Sequence, residues 1–119
     1  MEHCVFIELG MGTDLHGQDI TKAAVRAVEQ AIHRNSMPGL RALLPEGKLD
    51  NMKVHVRLAV PCDRERLDLE RIKAVLPYGE VTVELTDGGM LTSSGVVLPD
   101  KADKNDLIYV VVAAVEVGY

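Results

Sequence analysis

At 119 residues the chain is expected to form one domain, residues 1–119, long enough for a single hydrophobic core. Its 47% apolar and 26% charged residues are ordinary for a globular protein. A formal net charge of −5 with no lysine or arginine block argues against nonspecific nucleic-acid binding, and no apolar run is long enough for a membrane helix.

Cys4 and Cys62 stand alone, and the N-terminus lacks the basic and apolar regions of a secretory signal. Reduced thiols and a cytoplasmic location are therefore expected. Phe6 and three tyrosines are the only aromatic residues, so the core has to be aliphatic.

The first stretch, His3 to Leu9, is rich in valine, phenylalanine and isoleucine and reads as a strand buried on both faces. Glu8 is its one charged interior residue. It either faces water at the strand end or supplies a third acid to the motif that follows.

That motif is Gly10-Met11-Gly12-Thr13-Asp14-Leu15-His16-Gly17, a G-x-G-x-D-x-H-G run between a strand and a helix. Gly10, Gly12 and Gly17 are expected to supply positive φ and let the backbone approach a ligand. Asp14 and His16, two apart, are the candidate catalytic pair, either exchanging protons or ligating a divalent metal such as zinc. Two ligands do not complete a zinc site, so a third would come from Glu8, His3 or His55. The motif reads as a turn outside the core, where truncating Asp14 or His16 leaves the fold intact.

Asp19 is a good N-cap for a helix running to about Arg34, with Ile20, Ala24, Ala27, Val28, Ala31 and Ile32 as its buried stripe. Lys22 falls in the first turn, either solvated or holding an anionic ligand. Residues 35–51 read as irregular, with Leu40, Leu43 and Leu44 forming one helical turn.

Lys53 to Val60 alternates as a half-buried strand, with His55 and Arg57 on its outer face. That face meets either water or another subunit, and Arg57 is a candidate for holding an anion there. A second helix is expected over Asp63 to Leu76, and an alternating strand over Glu80 to Leu85. After the Thr86-Asp87-Gly88-Gly89 turn, Ser93 and Ser94 are candidate ligand-binding hydroxyls or simply polar loop. Pro99 to Asp106 is a charged loop. Leu107 to Val117 closes the chain as an unbroken apolar strand, expected in the middle of the sheet.

This order of elements, βαβαββ with two helices on one face of a mixed sheet, is an α+β arrangement. It resembles the Bacillus chorismate-mutase-like fold, in which the last strand inserts between the first two. That resemblance implies a homo-oligomer, a trimer, with sites between subunits. The G-x-G-x-D-x-H-G motif resembles that of a small bacterial family of conserved hypothetical proteins, the Lin type, over essentially the whole chain. No function transfers from it.

A partial similarity is to the cyclodiphosphate synthase of the non-mevalonate isoprenoid pathway, which implies zinc on Asp14 and His16. The helical histidine completing that site is replaced here by Lys22, Ala23 and Ala24. A fainter likeness to the ring-opening cyanuric acid and barbiturate hydrolases rests on the strand-glycine-helix pattern alone. Together these readings imply a site for an anionic small molecule at a subunit interface, serving either an enzyme or a non-catalytic binding module. In a third reading the motif is purely structural.

Overall fold

A computed structural model describes residues 1–119. Its elements are β1 (Cys4–Asp14), α1 (Ile20–His33), α2 (Leu40–Leu43), β2 (Lys53–Val60), α3 (Leu69–Lys73), β3 (Glu80–Asp87), β4 (Met90–Ser93) and β5 (Leu107–Gly118). The strands form one mixed sheet in the order β1-β5-β2-β3, so the architecture is α+β and the last strand lies between the first two. β5 runs antiparallel to both β1 and β2, whereas β2 and β3 are parallel and joined by a crossover carrying α3. β4 pairs with β5 over Leu107 to Val110, past the end of β2.

α1 follows the expected span. Its N-cap carboxylate, Asp19, accepts the Lys22 N–H at 3.1 Å, supplying a partner for a donor that the helix start leaves free. The buried stripe includes Ala23 as well as Ala24, Ala27, Val28 and Ala31. Ala23, Ala27 and Ala31 form a ridge of methyl groups that lies against β1.

The second helix is far shorter than the expected Asp63–Leu76. Asp63 takes a left-handed conformation (φ 56°), a 3₁₀ turn follows over Arg64–Arg66, and Leu67 is extended. Helix resumes only where the Asp68 carboxylate accepts the Arg71 N–H, and Leu69, expected inside, is exposed. Ile72 alone of this short helix is fully buried.

β1 was expected to be buried on both faces, and β1 and β5 each have one open face. Phe6, Glu8, Gly10, Gly12 and Asp14 point toward the helices, so Ile7, Leu9 and Met11 point away, at 56%, 61% and 51% exposure. Rows crossing the open face from β1 to β3 read Ile7–Glu116–His55–Thr82, Leu9–Ala114–Arg57–Glu84 and Met11–Val112–Ala59–Thr86. Thr13–Val110–Met90 closes the pattern at the β4 end. The open face is therefore apolar over β1 and β5 apart from Glu116, and polar or charged over most of β2 and β3.

The outer edge of β1 is partly closed, from Leu9 to Thr13, by α1 and its C-cap. Arg26, Gln30 and Arg34, spaced four apart on the helix, reach around the strand. Arg26 donates to the Thr13 carbonyl at 2.7 Å, Gln30 accepts the Met11 N–H at 2.7 Å, and Arg34 donates to the Leu9 carbonyl at 2.7 Å. These are backbone groups that an edge strand would otherwise present to another chain.

Candidate functional site

The G-x-G-x-D-x-H-G motif divides into a strand half and a loop half. β1 continues through Asp14 because β5 is long enough to pair with it as far as Tyr109. Gly10 and Gly12 are thus buried strand residues without positive φ, contrary to the expected turn. A Cβ at Gly12 would collide with the Ala23 carbonyl and the Ala27 nitrogen, and one at Gly10 with the corresponding atoms of Ala27 and Ala31. These two glycines let the alanine ridge of α1 approach the sheet. Gly17 alone of the three takes positive φ, at 99°.

Asp14 is 3% exposed and accepts the Asp19 N–H at 2.8 Å, while its other oxygen lies 3.7 Å from the Arg26 guanidinium. It braces the entry to α1 from inside the fold rather than from a surface turn. His16 has a different partner. Its Nδ1 lies 2.7 Å from Oδ2 of Asp103, in the loop before β5.

The Asp103 side chain is 2% exposed and also accepts N–H groups from Gly17 at 2.6 Å and Leu98 at 2.9 Å. The Gly17 N–H first, then the Leu98 N–H and the His16 ring, hold this carboxyl below the usual carboxylate range. With Nδ1 donating to the carboxylate, Nε2 becomes the acceptor nitrogen. The His16 side chain is 31% exposed, and no protein group bonds to Nε2.

Gln18, buried and at positive φ, completes the join between the two loops. Its amide donates to the Asn105 carbonyl at 3.0 Å and accepts the Lys104 N–H at 2.9 Å. Neither Asp103 nor Gln18 is marked by sequence spacing. Asp103 lies 87 positions from His16, and only the return of β5 beside β1 brings the two together.

The other expected site residues lie apart from this pair. Lys22 is exposed in the first turn of α1 and makes no side-chain bond. Arg57 lies on the open sheet face, bonded to Glu84 at 3.1 Å and Glu116 at 3.3 Å. Ser93 donates to the Asp106 carboxylate and Ser94 to the Asp106 carbonyl, so both hydroxyls fasten the start of β5.

The suggested supplementary metal ligands have separate neighbours. Glu8 accepts from Asn35, His55 bonds Thr82 and Glu84, and His3 packs beside Tyr119. No three His, Cys, Asp or Glu side chains come together as a metal-holding group, so the residues of one chain do not fit a zinc site.

Four backbone donors around the loop are also engaged. Asp14 takes the Asp19 N–H, Asp19 the Lys22 N–H, and Asp103 those of Gly17 and Leu98. Internal carboxylates thus take the Asp19 and Lys22 donors at this helix start, two of the groups an external anion would use. What the loop turns outward is one oriented imidazole.

No protein of curated function matches the chain. Among solved structures it is similar to an FtsZ-like protein of unknown function from Nostoc punctiforme PCC 73102. The two are 39% identical with a TM-score of 0.82, over 97% of this chain and 93% of that one. The family model of the Lin0512 conserved hypothetical proteins matches residues 4–117. Those residues take in every strand and helix of the fold but the last residue of β5, and the chain belongs to the Lin0512 family of conserved hypothetical proteins.

Proposed function

We propose that the protein binds a small molecule at the β1–α1 loop and that His16 exchanges a proton with it through Nε2. The observation that carries this reading is the His16–Asp103 pair. A carboxylate held by two backbone N–H groups fixes the ring through Nδ1 and leaves Nε2 unpartnered on a partly exposed ring. Such a carboxylate–imidazole arrangement suits general acid or base work. It equally suits a binding module that accepts a ligand's hydroxyl or N–H. With the Gly17, Asp19, Lys22 and Leu98 N–H groups engaged internally, Lys22 is the side chain free to meet an anionic group on the ligand. Walls for the site would come from a second copy docking on the open sheet face.

An architectural reading has its own support. Asp103 holds Gly17 and Leu98 together, so the pair also clasps two loops. Native mass spectrometry of the purified protein separates the readings, with His16→Ala and Asp14→Ala for comparison. The expected result is a ligand adduct of fixed mass on wild type. His16→Ala should lose the adduct and melt within a few degrees of wild type. Asp14→Ala should melt lower, because it leaves the Asp19 N–H unsatisfied at a cost of about 1–3 kcal/mol. Absence of any adduct, with His16→Ala melting as low as Asp14→Ala, would assign the pair to architecture.

A further inference from the structure

A cleft of about 430 Å³ opens on the helix side of the sheet, at the opposite end of α1 from His16. Ten of its 13 lining residues are hydrophobic. Phe6 of β1, Ile32 of α1, Leu40 of α2, Val54 of β2 and Val117 of β5 form its walls. Its volume falls within the roughly 300–1,000 Å³ typical of small-molecule sites.

One charged group lines this cleft, and strand parity explains why it is there. Glu8 falls between Phe6 and Gly10 on the face of β1 that points toward the helices. An aliphatic residue at that position would extend the core, whereas this chain places a carboxylate in an apolar wall. Asn35 donates to its Oε2 at 2.7 Å. No lysine, arginine or histidine pairs with it, although eight ion pairs form elsewhere in the chain. An ionised carboxylate accepts about four hydrogen bonds, and this one has a single protein donor. A carboxylate facing an apolar cavity without a counter-charge favours a cation that carries its own apolar body.

We infer that this cleft binds a small organic cation, an ammonium group on a hydrophobic body, with the cation on Glu8 and the body against Phe6, Ile32, Leu40 and Val117. The ammonium adds the donors that Asn35 does not supply. The apolar part displaces water from the walls.

The test uses octylammonium, 1-octanol and octanoate as probes below their self-association limits. Titration calorimetry measures affinity, and amide NMR shifts locate the binding. Wild type is expected to bind octylammonium saturably, at least tenfold more tightly than octanol, with octanoate weakest. The shifted amides should lie in β1, the end of α1 and α2.

Glu8→Gln keeps the shape of the side chain. It should retain octanol binding and lose the preference for the ammonium probe. Equal ammonium affinity in wild type and Glu8→Gln would overturn the assignment. So would shifts confined to the open sheet face, or no saturable binding of any probe. Should Glu8→Gln fail to fold, the wild-type ranking of the three probes decides alone: octanoate binding as well as octylammonium refutes the proposal.

Discussion

Asp103 has a small side chain and three bonded neighbours, and its ionisation is coupled to folding. The Gly17 and Leu98 N–H groups and the His16 ring favour its charged form, so its folded pKa lies below its unfolded value. A carboxylate lowered in this way contributes stability that is complete above the unfolded pKa of about 3.9. That contribution is lost as the pH falls through the folded value. Two more carboxyls shift the same way, Asp106 through Ser93 and Gly95 and Glu84 through His55 and Arg57. Thermal melts between about pH 2 and pH 6 should therefore show a steep fall in Tm below about pH 4. Asp103→Asn should melt lower than wild type at neutral pH and lose part of that acid slope; an unchanged slope would uncouple Asp103 from stability. At this scale the sequence showed that Asp14 and His16 were unusual and hid what each one touches. Asp14 turned inward because strand parity at position 14 points to the helix side, and that parity became visible only once β1 was known to continue through it.

The contact of α1 with β1 depends on side chains being absent. Gly10 and Gly12 offer no Cβ, and Ala23, Ala27 and Ala31 offer only methyl groups, so the helix backbone lies nearly on the strand. Overpacking of an ordinary core costs about 1–3 kcal/mol. Here the obstructing atoms are helix backbone, which cannot change rotamer. Gly12→Ala should therefore lower Tm by more than 10 °C, while Gly95→Ala, with nothing within 4 Å of its added Cβ, should cost less through its positive φ alone. A Gly12→Ala variant that melts with wild type would show that the helix can move away at little cost. α1 was legible in sequence because its cap, its alanine stripe and its length agree. The second helix was overextended because apolar spacing between Leu69 and Leu76 outweighed the local pull of Asp63 and Asp68, whose conformations break the helix.

Across the whole molecule the sheet is covered by helices on one side and bare on the other. The bare side carries Leu9, Ile7, Met11, Met90 and Val112 in adjoining rows, all more than 40% exposed. Contiguous apolar surface of this kind marks an interface more often than a solvated face. Next to it lies a network of Arg57, Glu84, Glu116 and His55, bonded among themselves, which gives the face a charged rim. We propose that copies of the chain meet on this face in a closed assembly, most simply a trimer. Sedimentation at micromolar concentration should show a single oligomer, and Leu9→Lys should yield monomers that remain folded. A wild-type protein that sediments only as a monomer would refute it. The central place of β5 followed from its unbroken apolar run.

The seal that Arg26, Gln30 and Arg34 place along β1 limits how such a sheet can grow. Continuous lengthening by strand addition requires a free border on each side of every copy. This chain has one border stitched to its own helix from Leu9 to Thr13, which leaves the β3 side the more open for pairing. Two copies joined there would present a partly sealed β1 at both ends. However the bare face assembles, three side chains of α1 and its C-cap occupy backbone groups that endless β-ribbon growth would need.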